Sequence, residues 1–161
     1  MASFVAEPTH AKRGAHAPRL RLVNVAGPVA RAYFAIKFRS DYQDRPWISE
    51  LSDSLDSVGI QTSVMVRDHE MWGEHRFSPQ ELMERTFKEI DLSDLVIIEF
   101  SEKGVGLGIE AGYAFATHKP IIVIAKCGSD VSPTLAGIAR KIIFYSNPSA
   151  IGAMVIREFQ N

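Results

Sequence analysis

The sequence predicts a single α/β domain, and three observations support this prediction. Its 161 residues are 46% hydrophobic and 23% charged, which suits one soluble domain with one sheet covered on both faces. Short apolar runs alternate along the chain with segments of helical spacing. The runs at 95–100 and 120–125 are almost continuously apolar, as expected of strands buried on both faces. We therefore expect a doubly wound, Rossmann- or flavodoxin-like parallel sheet of five strands with helices on both faces.

The first elements are indicated by a change of hydrophobic period. Residues 32–38 form a short apolar run that predicts the first strand, and 47–58 place apolar residues at helical spacing. Gly59 is suited to end that helix. The β-rich alternation over 60–66 then predicts the second strand.

A capping-box signal marks the start of the second helix. Ser78 can cap the helix, Pro79 suits its first position, and Glu81 stands three residues after the cap. This pattern predicts a helix over 79–91. The remaining elements follow the same alternation, with strands at 95–100, 120–125 and 141–145 and helices at 107–118, 133–139 and from 148 onward.

The N-terminal segment differs from the rest of the chain in charge. Residues 1–31 carry five basic residues and one acidic residue, a net charge of +4, whereas 32–161 carry 13 basic and 18 acidic residues, a net charge of −5. Scattered prolines without periodicity predict a flexible basic leader over 1–31 and a folded domain over 32–161. The overall charge of −1 argues against nucleic acid as the main partner.

No segment has the composition of a secretory signal or a membrane span, which need apolar stretches of about 7–15 and about 18 residues. We therefore expect a cytoplasmic protein with no membrane partner. The single cysteine, Cys127, cannot form an intrachain disulfide. His69 and His75 lack the i,i+4 spacing of a zinc-binding helix, so neither a metal nor another cofactor is expected.

The glycine-rich run GVGLGIEAGYA occupies residues 104–114, directly after the third predicted strand. Gly104, Gly106 and Gly108 let the backbone approach a sugar or a phosphate closely. Glu110 would lie in the first turns of the following helix, whose partial positive charge favours an ionised carboxylate. The run therefore suggests a nucleophile at Glu110.

Other interpretations compete for the same run. The glycines also suit a simple strand-to-helix turn with Glu110 facing solvent. Residues 106–111 match the dinucleotide pattern G-x-G-x-x-A, but they follow the third strand, and Lys126 and Cys127 stand where an acidic residue is expected. A P-loop is excluded because the Gly-Lys-Ser/Thr ending is missing.

The loops after successive parallel strands should meet at one edge of the sheet, here segments 36–45, 67–78 and 101–110. This cleft would gather Phe38, Arg39, Asp41, Arg67, His69, Trp72, Glu102 and Glu110. Arg39 can bind a phosphate, and Phe38 and Trp72 can stack on or wall a base, so the set suits a nucleotide. Taken one at a time, these residues also fit simpler roles. Arg39 fits a surface cation, Phe38 fits a core residue, and Trp72 fits a residue at a subunit contact.

These residues carry a family resemblance. The glycine-rich loop, the Glu and the Gly-aromatic-Ala ending of 104–114 resemble the signature of the nucleoside 2-deoxyribosyltransferase superfamily. Trp72-Gly73 and 77–79 are similar to its nucleotide-hydrolysing branch, the CMP and hydroxymethyl-CMP N-glycosidases of mildiomycin and blasticidin S biosynthesis. The resemblance runs from about 33 to 124, over half the chain.

The resemblance implies roles for individual residues. Glu110 matches the nucleophile that attacks the anomeric carbon, Arg39 matches a substrate-binding arginine, and Phe38 matches the aromatic residue beside the base. It also implies a homodimer or a higher homo-oligomer, with active sites completed across the interface. In two places the sequence departs from the family pattern, because Gly104 and Thr86 stand where many relatives carry carboxylates.

The missing carboxylates leave the general acid open. Glu102, Glu89 and an acid from a neighbouring subunit are the candidates. The leading functional hypothesis is hydrolysis of a pyrimidine nucleoside 5′-monophosphate, CMP foremost, to the free base and ribose 5-phosphate. Deoxyribosyl transfer or deoxynucleotide hydrolysis, a non-catalytic nucleotide sensor, and NAD glycohydrolase activity are the alternatives.

Overall fold

The structure is a computed structural model that describes residues 30–39 and 43–160. Residues 1–29 of the predicted leader, and Asp41 of the predicted cleft, lie outside the described residues. Ala30 and Arg31 belong to the first strand, which begins two residues earlier than predicted. No helix of the described part is long and apolar enough to cross a bilayer.

Five parallel strands form one sheet in the order β2-β1-β3-β4-β5. The strands are β1 Ala30–Ala35, β2 Ile60–Ser63, β3 Leu95–Glu99, β4 Ile121–Lys126 and β5 Lys141–Tyr145. This is the flavodoxin-like order of a doubly wound sheet, and it confirms the predicted fold class. Because β1 is bordered by β2 on one side and β3 on the other, the strand order reverses at β1 and β3, where such sheets bind ligands.

Helices cover both faces of the sheet. They are α1 Arg45–Asp56, α2 Pro79–Asp91, α3 Val105–Ala116, the single turn α4 Pro133–Ala136, and α5 Ile151–Gln160. Along β1, Tyr33 and Phe34 point to opposite faces, as the period of a strand requires. Phe34 belongs to the core shared with α1 and α5, and Tyr33 to the core shared with α2 and α3.

The boundaries of α2 and β5 agree with the prediction, and Ser78 and Glu81 form the expected capping box. The prediction for β2 was too long. The strand ends at Ser63, and Met65–His69 form a π-helix. The backbone N–H of Val64 donates to the Asp68 carboxylate over 2.8 Å, which closes a local turn that competes with continued strand pairing.

Phe38 and the start of α3 also lie differently from the prediction. β1 ends at Ala35, so Phe38 lies in the loop after the strand and not within it. Helix α3 begins at Val105, two residues earlier than expected, with Gly104 as its N-cap residue. Glu110 is therefore the sixth residue of α3 and lies in its second turn.

Candidate active site

A cavity of about 170 Å³ lies at the carboxyl ends of β1 and β2. Its walls come from β1 and the loop after it, from the π-helical segment after β2, from α2, and from the first turns of α3. Most of the lining is apolar, and the polar groups come from Tyr33, Glu70, Thr86 and Glu110. Cavities of this kind, largely apolar with a few converging polar groups, are the usual form of a small-molecule site.

The carboxylate of Glu110 is enclosed although the residue as a whole is partly exposed. Its Oε1 accepts a hydrogen bond of 2.9 Å from the Tyr33 hydroxyl. Its Oε2 is buried and has no hydrogen-bond partner among the described residues. Because buried acceptors are nearly always satisfied, an open carboxylate oxygen in a cavity marks a group available to a ligand.

Burial raises the pKa of Glu110 to about 7, and the hydrogen bond from Tyr33 acts in the opposite direction. The sequence suggested that the positive end of the helix would favour the ionised form. Glu110 lies in the second turn, where the influence of the helix terminus has declined, so loss of hydration dominates. A carboxylate with this pKa is half ionised near neutral pH.

Tyr33 connects Glu110 to α2. The side chain is fully buried, and burial together with the neighbouring Glu110 raises the pKa of the phenol well above its ordinary value. Tyr33 therefore stays protonated and keeps donating to Glu110. A side-chain hydrogen bond links Tyr33 to Thr86, which is buried on α2 and lines the same cavity.

The glycines of the run have different positions relative to the cavity. Gly106 lines it, and a Cβ at that position would meet no atom within 4 Å, so the cavity stays open to a ligand there. Gly104 has an extended backbone with φ of −154° and forms the N-cap of α3. Neither Gly104 nor Gly108 lines the cavity.

Phe38 lines the cavity, and Trp72 supports it from outside. Their ring centroids lie 6.2 Å apart with the planes tilted by 54°. The Arg45 guanidinium carbon lies 4.8 Å from the Trp72 ring centroid. The sequence expectation that both aromatic residues lie beside one cleft agrees with this geometry, although only Phe38 contributes to the cavity wall.

Arg39 joins the loop after β1 to the loop after β3. Its Nη2 lies 2.5 Å from Glu102 Oε1, and Lys37 Nζ lies 3.1 Å from Glu102 Oε2. The Lys37 hydrogen bond and the charge of Arg39 lower the pKa of Glu102. Glu102 is therefore ionised near neutral pH, and neither Arg39 nor Glu102 lines the cavity.

Glu89 also lies outside the cavity wall. It accepts hydrogen bonds of 2.8 Å from the Ser63 hydroxyl and 2.5 Å from Arg31, and His69 Nε2 lies 3.7 Å away. Burial acts to raise the pKa of Glu89, but the hydrogen bonds from Ser63 and Arg31 outweigh it and hold the pKa below its ordinary value. This is opposite to the direction that a general acid needs.

The loop between β3 and α3 is fixed by a second buried carboxylate. Glu99 accepts hydrogen bonds from the Ser101 hydroxyl, from the Ser101 backbone N–H at 3.2 Å, and from the Tyr145 hydroxyl at 3.0 Å. The Ser101 hydroxyl oxygen in turn accepts from the backbone N–H of Lys126. These bonds anchor the chain just before the residues that lead to Glu110.

Sequence reasoning missed two polar residues of the cavity, Tyr33 and Glu70. Tyr33 stands in an apolar run, and period-2 alternation placed it on a sheet face without distinguishing its hydroxyl. Glu70 had a signal only as an acidic residue in the loop after the second strand. Thr86 was recognised only as a departure from the family pattern, yet it lines the cavity.

The fold and this site define a flavodoxin-like α/β domain with a buried carboxylate at the ligand-binding edge of its sheet. No protein-family model matches the sequence. The chain is 26% identical over 96 residues, 59% of its length and 67% of the relative's, to a Thermofilum pendens protein named "Putative 2'-deoxynucleoside 5'-phosphate N-hydrolase 1".

Solved structures have the same fold. A CMP N-glycosidase of Clostridium botulinum superposes with a TM-score of 0.59 at 20% identity, over 80% of this chain and 98% of the other. A 2-deoxyribosyltransferase of Bacillus psychrosaccharolyticus superposes with a TM-score of 0.62 at 14% identity, over 76% and 90%. Both structures share the α/β fold that the sequence resemblance to the nucleoside 2-deoxyribosyltransferase superfamily implied.

Proposed function

We propose that this protein hydrolyses the N-glycosidic bond of a pyrimidine nucleoside 5′-monophosphate, CMP foremost, and releases the base and ribose 5-phosphate. The observation that carries the proposal is the buried Glu110 carboxylate, which is held through Oε1 and open at Oε2 inside a cavity. Nucleotides as the substrate class are supported by two similar proteins, one named as an N-hydrolase and the other as a CMP N-glycosidase.

Glu110 acts as the nucleophile. Its Oε2 attacks the anomeric carbon as the bond from that carbon to the base breaks, and the bonding electrons leave with the base. Tyr33 holds Oε1 and so fixes the direction of attack. A water molecule then hydrolyses the glycosyl ester and restores the carboxylate, as in two-step glycosidases that retain configuration.

The substrate extends beyond the cavity. A volume of about 170 Å³ is below the roughly 300–1,000 Å³ of most ligand sites, so it encloses only part of a nucleotide. The phosphate lies towards Arg39 and Lys37, where it takes over hydrogen bonds that Glu102 now accepts. Phe38, supported by Trp72, forms the wall beside the base, and Gly106 lets the sugar approach the backbone. By resemblance, Gly104 and Gly108 belong to the same substrate loop.

The general acid is not assigned to Glu102 or Glu89, because both are held in the ionised form by their neighbours. Departure of the base is assisted by hydrogen bonding within the cavity or by an acid of a second subunit. Such assistance contributes typically 10²–10⁴-fold.

A homodimer through α3 suits this site. The outer face of α3 exposes Val105, Ile109 and Phe115, with exposed fractions of 83%, 46% and 47%. Gly108 and Gly112 lie exposed on the same helix and would let a partner approach closely. Apolar stripes of this kind typically mark interaction surfaces.

The experiment measures base release from CMP, dCMP, UMP, AMP, cytidine and NAD by chromatography. Wild-type protein and Glu110→Gln are compared, with Glu84→Gln, an exposed glutamate of α2 outside the cavity, as the matched control. We expect release from CMP above cytidine, a loss of about 10³-fold or more in Glu110→Gln, and full activity in Glu84→Gln. Near-wild-type rates in Glu110→Gln would contradict the proposal.

A second candidate is hydrolysis of a 2′-deoxynucleoside 5′-monophosphate, favoured by the name of the Thermofilum pendens relative. Release from dCMP well above CMP in the same panel would select it. Binding of nucleotides without any product would instead select a non-catalytic nucleotide-binding protein.

A further inference from the structure

Among the described residues, two carboxylates line the cavity, Glu110 from α3 and Glu70 from the segment after β2. Glu110 is used by the proposed mechanism, and Glu70 is not. The Glu70 side chain is partly buried and forms no hydrogen bond or ion pair with a described residue. A carboxylate beside a mostly apolar cavity, without a donor of its own, is available to a ligand that supplies one.

Glu70 lies in a segment of fixed and unusual backbone geometry. Its N–H donates to the Met65 carbonyl over 2.9 Å, and its carbonyl accepts from the N–H groups of Gly73 and His75 at 2.8 and 2.9 Å. The π-helix Met65–His69 ends immediately before it. Met71 and Trp72 follow with left-handed φ values of 49° and 58°. Strained backbone and π-helical turns of this kind concentrate at functional sites.

The position of Glu70 relates it to the base and not to the sugar. The sugar must lie at Glu110 and Tyr33, because Glu110 attacks the anomeric carbon. Trp72, two residues after Glu70, packs against Phe38, which forms the wall proposed for the base. Glu70 and Phe38 line the same cavity, so a base that packs beside Phe38 can present its edge to Glu70.

We propose that Glu70 determines base preference by accepting a hydrogen bond from an exocyclic amino group, which in a pyrimidine nucleotide is N4 of cytosine. This inference rests on the proposed function. An ionised carboxylate only accepts hydrogen bonds, and cytosine presents an amino donor where uracil presents a carbonyl oxygen. O4 of uracil would instead face the Glu70 carboxylate, and neither acceptor would have a donor. Glu70 therefore favours CMP over UMP by roughly 10–100-fold.

The test is the ratio of kcat/KM for CMP to kcat/KM for UMP in wild-type protein, Glu70→Gln and Glu74→Gln. The amide of Gln can donate to O4 of uracil, so we expect the ratio to fall about 10-fold or more in Glu70→Gln. Glu74 is an exposed glutamate four residues further on that does not line the cavity, so Glu74→Gln should keep the wild-type ratio. A ratio measured on one preparation does not depend on the fraction of folded protein.

Failure of this inference can be distinguished from failure of the proposed function. If wild-type protein hydrolyses nucleotides through Glu110 but Glu70→Gln keeps the wild-type ratio, the base-selecting role of Glu70 is wrong and the proposed function stands. If wild-type protein releases base from no nucleotide, both are wrong. Calorimetric binding of CMP and UMP to Glu110→Gln, with and without Glu70→Gln, gives a second reading, in which the same loss of preference is expected.

Discussion

The Tyr33 hydroxyl donates to Oε1 of Glu110 over 2.9 Å, joining strand β1 to helix α3 across 77 positions of sequence. This bond leaves Oε2 as the only oxygen of the buried carboxylate with no partner among the described residues. The strand thus orients the carboxylate, while the helix supplies it. Burial raises the pKa of Glu110 and the Tyr33 hydrogen bond lowers it, so the two effects on this pKa can be tested separately.

Tyr33→Phe should move the acidic limb of the pH–rate profile to higher pH. The Tyr33 hydrogen bond lowers the pKa of Glu110, so its removal raises a pKa that already lies at about 7. Because the proposed mechanism requires Glu110 in the ionised form, kcat/KM near neutral pH should fall roughly 10–100-fold, the usual effect of a lost hydrogen bond to a charged group. The measurement is kcat/KM for CMP between pH 5 and 9.

Tyr113→Phe is the matched control for that prediction. The Tyr113 hydroxyl bonds to Asp91 at the surface, at 3.0 and 3.1 Å, and not to Glu110. Its profile should coincide with that of wild-type protein. An acidic limb that stays in place in Tyr33→Phe would show that the hydrogen bond does not control ionisation of Glu110.

Glu110 should make the protein less stable as pH rises. Its pKa is raised on folding from an ordinary value of 4.5 to about 7, so its contribution to stability is fully present below pH 4.5 and is lost as pH rises through about 7. Glu110→Gln removes this loss and should exceed wild-type stability at pH 8 by on the order of 2 kcal/mol. Urea unfolding at pH 5 and pH 8 measures the difference.

For each protein, the free energy of unfolding at pH 5 is compared with that at pH 8. Glu84→Gln, at the surface of α2, should show the same pH dependence as wild-type protein. If Glu110→Gln also follows the wild-type pH dependence, the buried carboxylate is not the group that titrates near neutral pH.

The sequence predicted the doubly wound parallel sheet and three residues that line the cavity, Phe38, Gly106 and Glu110, because these depend on patterns that a single chain displays. Alternating periods and a capping box located α2 and β5, and the glycine run located Glu110. Phe38 was placed in the first strand, whereas it lies in the loop after β1. Phe38 nevertheless lines the cavity, because the end of a strand and the start of the loop after it lie at the same edge of the sheet.

The rest could not be predicted, because it depends on competition between local and long-range bonds. Alternation over 60–66 suggested a strand through Val66, but Asp68 bonds the Val64 N–H and ends the strand early. That turn determines where Glu70 lies. The neighbours that ionise Glu89 and Glu102 come from residues distant in sequence, so their unsuitability as acids became evident only in the fold.

Arg39→Ala should abolish the preference for nucleotide over nucleoside. Arg39 and Lys37 share one carboxylate, Glu102, at the edge of the sheet beside the cavity. If the phosphate displaces Glu102, loss of Arg39 should raise KM for CMP roughly 10-fold or more and leave cytidine hydrolysis almost unchanged. Lys103→Ala is the control, since Lys103 pairs with the exposed Asp130. An equal loss for CMP and cytidine would contradict a phosphate role for Arg39.

Glu99→Ala should destabilise the protein far more than Glu102→Ala. Glu99 is buried, and its removal leaves the Tyr145 hydroxyl and the Ser101 N–H without an acceptor. We expect a loss of about 2–4 kcal/mol in the free energy of unfolding, measured with urea. Glu102 forms exposed ion pairs, whose loss typically changes stability very little. Similar losses in the two variants would show that Glu99 does not anchor the β3–α3 loop.

Two helical glycines should respond oppositely to alanine. A Cβ at Gly152 in α5 would lie 1.9 Å from the Ser54 carbonyl oxygen of α1, so Gly152→Ala must separate the two helices. We expect it to lower the free energy of unfolding by about 3 kcal/mol or more. A Cβ at Gly112 in α3 would meet no atom within 4 Å, so Gly112→Ala should stabilise the monomer by about 0.5–1 kcal/mol through helix propensity. Urea unfolding of both variants, at concentrations where the protein is monomeric, measures the two changes in the free energy of unfolding. Equal changes in Gly152→Ala and Gly112→Ala would mean that α1 and α5 do not pack this closely.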